Sequence, residues 1–124
     1  MTTAYWCVLA AALMPYVAVS IAKSGGERFD NSNPRLWLEK QQGFRARANA
    51  AQANSFEAFP FFAAAVIVAH LAQAPQDRID ALAVMFVLAR AAFIVFYVAD
   101  WHWARSIVWT IGVVATITIF VSGA

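Results

Sequence analysis

Four apolar runs dominate the chain: Ala4–Ala22, Ala58–Ala74, Ile79–Ala99 and Ile107–Val121. Ala, Val, Ile, Leu and Phe make up most of each run. As helices, the first three runs extend about 25–32 Å and the fourth about 22 Å before its flanking residues are added, enough to cross the hydrocarbon core of a bilayer. An isolated strand in lipid would leave its backbone groups unpaired, so the helix is the expected state of every run. Pro15 in the first run and Pro60 near the start of the second are expected to kink or loosen their helices. The polar connections are unequal. The first, Lys23 to about Phe44, is long, with Ser24-Gly25-Gly26 breaking the first helix and Asn31-Ser32-Asn33-Pro34 as a turn signal. The second, Ala74-Pro75-Gln76-Asp77, is short and makes the second and third spans antiparallel neighbours. The third, around Asp100-Trp101-His102-Trp103-Ala104, is also short. The pattern predicts an all-α membrane protein: one domain over residues 1–124, a four-transmembrane-helix up-down bundle.

The second helix is expected to begin before its apolar run. Glu39 to Glu57 is rich in Ala, Gln, Arg and Asn, with no Gly or Pro after Gly43. That composition favours helix and predicts an extension from about residue 40 that projects from the membrane. Lys23, Arg28, Arg35, Lys40, Arg45, Arg47 and Arg105 flank the first and third connections, and only Arg78 lies on the opposite side. The positive-inside rule then places both connections in the cytoplasm and both termini outside. Trp6, Trp37, Trp101 and Trp103 fall near the expected interfaces, as an aromatic belt would. No basic segment precedes the first run, which is long for the core of a signal peptide, so it reads as a retained helix.

Composition agrees with this picture. Hydrophobic residues are 62% of the chain and charged residues 13%, against about 25% charged in a soluble domain. The basic residues sit beside the spans and form no nucleic-acid motif, so no nucleic-acid partner is expected. The single cysteine, Cys7, excludes an intrachain disulfide and reads as a small apolar residue within its run. His70 and His102 lack the further ligands a metal site needs, and no metal is expected.

The candidate chemistry lies in the polar residues that interrupt the spans. Arg90 stands inside the third, where a charge costs about 2.5–3.5 kcal/mol and calls for a partner, a ligand or a water-lined cavity. Tyr97, seven residues later, lies on the same side of that helix. On the second helix Arg47, Asn54 and Glu57 share one face within an arc of about 80°, and Gln52 lies off that stripe, where it can face a neighbour. Arg105-Ser106 opens the fourth helix. Arginine forks suit carboxylates, and Asn, Gln and Tyr supply further donors and acceptors, so the set fits a small, multiply charged ligand entering from the cytosol. The apolar faces beside it would admit a lipophilic co-substrate from the bilayer. Each residue also has a plainer reading. Arg47 and Arg105 serve as topology charges, Asn54 and Glu57 as helix-packing polar groups, Arg90 as the ion-pair partner of Glu57, and Tyr97 as an interface anchor.

The stretch Gln52-Ala53-Asn54-Ser55-Phe56-Glu57-Ala58-Phe59-Pro60, followed by Arg90, Tyr97 and Arg105-Ser106, resembles the helix signatures of the membrane-associated proteins in eicosanoid and glutathione metabolism (MAPEG). The resemblance spans nearly the whole chain and is nearest to bacterial members. It implies a homotrimer in a bacterial inner membrane, with glutathione as co-substrate bound in the cytoplasmic half between subunits. It also implies that Arg105 stabilises the glutathione thiolate with help from Ser106. Asn54, Glu57, Arg90 and Tyr97 match positions of the glutathione pocket, with Arg47 and Gln52 as further candidates. The chain departs from the signature in three places: Ala50 stands where the family has an arginine seven residues before Glu57, Phe93 where several members have Tyr or His, and Trp109 where some have Tyr.

The leading expectation is therefore an integral membrane glutathione transferase or peroxidase-like enzyme acting on lipophilic electrophiles. The alternative is a non-catalytic lipid-binding protein of the same fold, a reading that Ala50 favours. A small multidrug transporter is a third reading, and the absence of any acid from the first span speaks against it.

Overall fold

The computed structural model describes residues 1–124 and is all helical: α1 (Thr3–Lys23), α2 (Pro34–Glu39), α3 (Phe44–Leu71), α4 (Gln76–Val98) and α5 (His102–Val121). Four of these, α1, α3, α4 and α5, are long and apolar enough to cross a membrane, at 21, 28, 23 and 20 residues. The most extensive packing is α4 on α5 and α1 on α3; α3 also meets α4 and α5, and α1 meets α4. α1 and α5 make no comparable contact, so they occupy opposite corners of the bundle.

Alanine lets these helices approach closely. Ala4 and Ala11 of α1, Ala65 and Ala69 of α3, and Ala83 of α4 are buried in the main core. Phe62 and Phe86 fill the space they leave, stacked with ring centroids 3.8 Å apart. Outward-facing positions are apolar as well: Leu13 and Val17 on α1, Leu88 and Val95 on α4, and Val114 and Ile117 on α5 are all exposed. Apolar surface this extensive needs a hydrocarbon environment or another apolar surface over it. Helices α1 and α3 run through Pro15 and Pro60 without interruption. The carbonyls of Ala11 and Phe56 lose the donor four residues on, and no break in either helix follows.

The first connection is more structured than its polarity predicts. Asn33 caps α2 by accepting from the Leu36 amide, and Pro34 occupies the first turn, where its missing N–H is no loss. Trp37 is buried, its Nε1 donating to the Arg28 carbonyl at 2.9 Å while Phe29 meets its ring edge-to-face. It therefore anchors the connection and is not part of an aromatic belt, unlike the exposed Trp6, Trp101 and Trp103. The second long helix starts at Phe44, later than the residue near 40 that composition suggests. Gly43 adopts φ +63°, a left-handed conformation that glycine takes without penalty, and it separates α3 from α2.

Two of the basic residues near this connection close helix ends. Arg47 donates from Nε and Nη2 to the Val98 carbonyl at 3.1 and 3.0 Å, at the C-terminus of α4. Arg45 donates from Nε to the Ser24 carbonyl at the C-terminus of α1. Gly26, at φ +61°, lies so close to the Arg45 guanidinium that a Cβ would overlap it. Cations at helix C-termini satisfy orphan carbonyls and complement the helix dipole.

The opposite end is tied by polar contacts of its own. Asp80 Oδ1 accepts from the Ala4 amide at 2.9 Å and from Gln76 Nε2 at 2.8 Å. Thr2 Oγ1 accepts from the Tyr5 amide and meets His70 Nε2 at 2.9 Å, while His70 Nδ1 lies 2.7 Å from the Val66 carbonyl. That carbonyl can only accept, so the geometry assigns the ring proton to Nδ1 and leaves Nε2 to accept from the Thr2 hydroxyl. His70 is thus a structural tie between α1 and α3.

Replacing Arg47 with Ala is expected to lower stability by about 1.5–3 kcal/mol, the usual worth of hydrogen bonds from a charged donor. Lysine, with one ammonium in place of a fork, should recover part of the loss. Thermal unfolding of detergent-solubilised protein, followed by circular dichroism, measures both. An unchanged midpoint for Arg47→Ala would show that the cap on α4 carries no weight.

Candidate functional site

Helix α3 enters the bundle through a stripe of small buried residues, Ala48, Ala51 and Ser55, spaced three and four apart. This spacing keeps all three on one face. Ser55 is the polar member. Its hydroxyl donates to the Ala51 carbonyl at 2.8 Å and accepts from Arg90 Nη2 at 3.2 Å. Arg90, only 3% exposed, reaches across from α4. Its guanidinium lies over the Phe93 ring at 4.2 Å, a cation–π contact available because Phe93 follows one helical turn later. The guanidinium carries five N–H donors, and the Ser55 bond is the one it makes within the chain. Four donors therefore remain for a ligand or water.

Arg90 does not pair with Glu57. The two residues line the same cavity without forming an ion pair, and Ser55 and Phe93 take the place that sequence assigns to the Glu57 carboxylate. This inner chamber, a cleft open to the outside of the bundle, has a volume of about 360 Å³ and lies between α3, α4 and α5. Asn54, Glu57 and Arg90 are its polar members; Phe61, Phe86 and Trp109 are among its apolar walls. Asn54 Oδ1 is buried without any hydrogen-bond donor. An acceptor left this way costs free energy unless a ligand or water meets it. Gly112 and Thr116 of α5 line the chamber too, and Thr116 returns its hydroxyl to the Gly112 carbonyl.

A second chamber of about 420 Å³ adjoins the first, sharing Asn54 and Trp109 with it. Phe93, Tyr97, Arg105 and Ser106 also line it. Here Arg105 lies over the Tyr97 ring at 4.4 Å, and Tyr97 meets Phe93 edge-to-face at 5.4 Å. Two rings in contact, Phe93 and Tyr97, thus lie between the cations Arg90 and Arg105. The Arg105 guanidinium makes no hydrogen bond within the chain, so its whole fork is available. Ser106 donates its hydroxyl proton to the His102 carbonyl at 3.0 Å. Within the chain that proton is directed to its own helix, and the residue lines the chamber.

The structure therefore brings Asn54, Glu57, Arg90, Tyr97, Arg105 and Ser106 to two adjoining chambers. It does not bring Arg47 there, because both of its engaged nitrogens cap α4. Gln52 lies elsewhere, in a groove on the α2 side of α3 with Arg35, Glu39 and Asn49. Neither Arg45 nor Arg47 fills the place of the arginine absent at Ala50, since each is held by a helix-end carbonyl. Ser55 is the member of the site that sequence reasoning missed. The signal was present: one hydroxyl in an otherwise alanine stripe, at the depth of a buried arginine. Phe93, which the signature marks only as a departure, is the platform for Arg90.

Searches of curated proteins and of solved structures return no match. A comparison with protein-family profiles matches the MAPEG family over residues 3–124, essentially the whole chain. The four membrane-spanning helices, the polar and apolar chambers between α3, α4 and α5, and this match over the full length agree: the chain belongs to the MAPEG family, membrane proteins of eicosanoid and glutathione metabolism.

Proposed function

We propose that the protein is a membrane glutathione transferase that joins the glutathione thiolate to lipophilic electrophiles. One observation carries the reading: Arg105, whose guanidinium makes no hydrogen bond within the chain, stands in a polar chamber that shares Asn54 and Trp109 with a second one, whose lining is part polar, Asn54, Glu57 and Arg90, and part apolar, Phe61, Phe86 and Trp109. A hydrophilic thiol and a lipophilic acceptor need such a boundary to meet. In this reading glutathione enters from the cytoplasmic side, with Arg105 beside its sulfur. A cation at that position favours the thiolate over the thiol and lowers its pKa. The thiol proton leaves to water, the sulfur lone pair forms a bond to the electrophilic carbon, and the leaving group departs with the electron pair of the bond that breaks. Arg90, Asn54, Glu57 and Tyr97 hold the peptide.

The same reading includes a homotrimer in a bacterial inner membrane, with the first and third connections cytoplasmic. Gln52, in its groove on the α2 side of α3, is then placed to meet a neighbouring subunit and not its own chambers. A lipid-binding protein without catalysis is the second reading, and the missing arginine at Ala50 favours it. Glutathione affinity separates the two.

The purified protein is expected to conjugate glutathione to a chlorinated nitrobenzene, with release of chloride. Arg105→Ala should reduce kcat/KM by roughly 10²–10³, the usual loss when one charge-stabilising group is removed. It should also move the pH midpoint of the rate upward, because the thiol returns toward its ordinary pKa. A rate no higher than that of free glutathione, with glutathione saturating, would rule out the enzyme.

Ser106→Ala gives a second, contrary expectation. The Ser106 hydroxyl proton belongs to the His102 carbonyl, so its removal should change kcat/KM less than about threefold, below the effect of a single hydrogen bond to an ionised group. A loss comparable with that of Arg105→Ala would show that Ser106 turns its proton to the sulfur.

A further inference from the structure

The inner chamber changes character along its length. Toward the first and third connections it is lined by Asn54, Glu57 and Arg90. Farther along α3 come Ala58 and Phe61, and farther along α5 come Val113, Thr116 and Ile117. On α4, which runs the opposite way, Phe86 lies about one turn beyond Arg90 in the same direction. Thr116 spends its hydroxyl proton on the Gly112 carbonyl, so it brings no free donor to this deep end.

Helix α5 runs past both chambers. Arg105 and Trp109 line the outer one; Trp109, Gly112 and Thr116 line the inner one. Steps of four, three and four residues keep these positions on one face of the helix. The stripe is roughly 16 Å long and leads from a free guanidinium to apolar walls.

Gly112 is the one position on this stripe without a side chain. It is buried, and a Cβ there would meet the Phe86 ring at 3.7 and 3.8 Å and Arg90 Cδ at 3.9 Å. These are ordinary contacts, so a methyl fits without strain. Any further atom has Phe86 and Arg90 against it on the α4 side and must turn into the chamber. This wall is the back of the cleft and faces α4 of the same chain. A neighbouring copy laid over the mouth of the cleft does not reach it.

We infer that Gly112 determines which electrophiles the protein accepts, by keeping open a slot along α5 for the apolar body behind the reactive carbon. The cleft of about 360 Å³ is shared with the peptide, so the slot takes a slender, unbranched tail in preference to a bulky one. The inference rests on Arg105 holding the glutathione sulfur. It goes further by placing the second substrate and naming the residue that selects it.

S-alkylglutathiones test it, because each carries a tail already joined to the sulfur. Calorimetric titration compares S-methylglutathione with S-hexylglutathione on the protein in detergent. Each methylene withdrawn from water tightens binding by up to about fourfold, so the hexyl derivative should bind the parent protein at least about tenfold more tightly. Gly112→Val should reduce this ratio to less than about threefold, and Gly112→Ala should give an intermediate value. The ratio is internal to each variant, so a general loss of stability does not mimic the effect. If circular dichroism shows Gly112→Val to be unfolded, Gly112→Ala decides. A ratio unchanged in the folded variants, or no gain from the hexyl tail in the parent protein, would overturn the inference. The tail would then lie elsewhere, and the transferase reading would stand on the measured conjugation. Absence of binding by glutathione and both derivatives would overturn both readings.

Discussion

The bundle is organised around a guanidinium that hydrocarbon cannot hold alone. Arg90 is buried in the interior of α4, and its surroundings account for how it is kept there. Ser55 supplies one acceptor and Phe93 a π-face, while a Cβ on Gly112 of α5 would come into ordinary contact with Phe86 and the Arg90 stem. These contacts satisfy only part of what the cation needs. A fully paired arginine would be a structural rivet. One that lines a cavity with a single donor engaged is a site, because its remaining demand falls to whatever enters. The chambers between α3, α4 and α5 therefore belong to the solution for a buried charge, and the adjacent apolar walls follow from the same helices being membrane spans.

The other arginines show how topology and fold are coupled. Positive charges near the first connection read from the sequence as orientation signals, and Arg47 also as a candidate for the site. In the structure Arg45 closes α1 and Arg47 closes α4, so two of these charges also satisfy helix-end carbonyls that the α2 connection leaves exposed. This use excludes them from the site. Arg47 sits on the same face of α3 as Asn54 and Glu57, yet it lies nearer the end of α4 and reaches the Val98 carbonyl first. Shared helical phase is necessary for a shared site, but depth along the helix decides which neighbour a side chain meets.

That distinction also explains what could be read from the chain. Hydropathy located all four spans, because lipid tolerates only long apolar helices and the signal accumulates over about twenty residues. Helical phase located Asn54, Glu57, Arg90 and Tyr97 on converging faces. It could not decide between Glu57 and Ser55 as the partner of Arg90, since both lie on α3 near the same depth and the choice depends on how α3 and α4 cross. The short helix α2 escaped notice because polarity masked its cap, Asn33-Pro34, and because one buried tryptophan in a polar segment resembles an interface anchor. The start of α3 was misplaced for a local reason. A single φ at Gly43 outweighs the helix propensity of the residues around it.

The two rings of α4 that lie between Arg90 and the Arg105 of α5 give the departures from the family signature a physical meaning. Phe93 has no polar atom to offer a ligand, so its ring serves Arg90 on its face and Tyr97 on its edge. Tyr97 repeats the arrangement with Arg105. Each cation is thus oriented by π contacts that leave its hydrogen-bond donors unused, save the one that Arg90 gives to Ser55, whereas a carboxylate partner would occupy them and neutralise the charge. A tyrosine at 93 would add a hydroxyl that competes for the same acceptors or donors. The phenylalanine holds the arginine in place at the cost of one polar contact, and the two guanidinium groups remain free to divide a ligand between them.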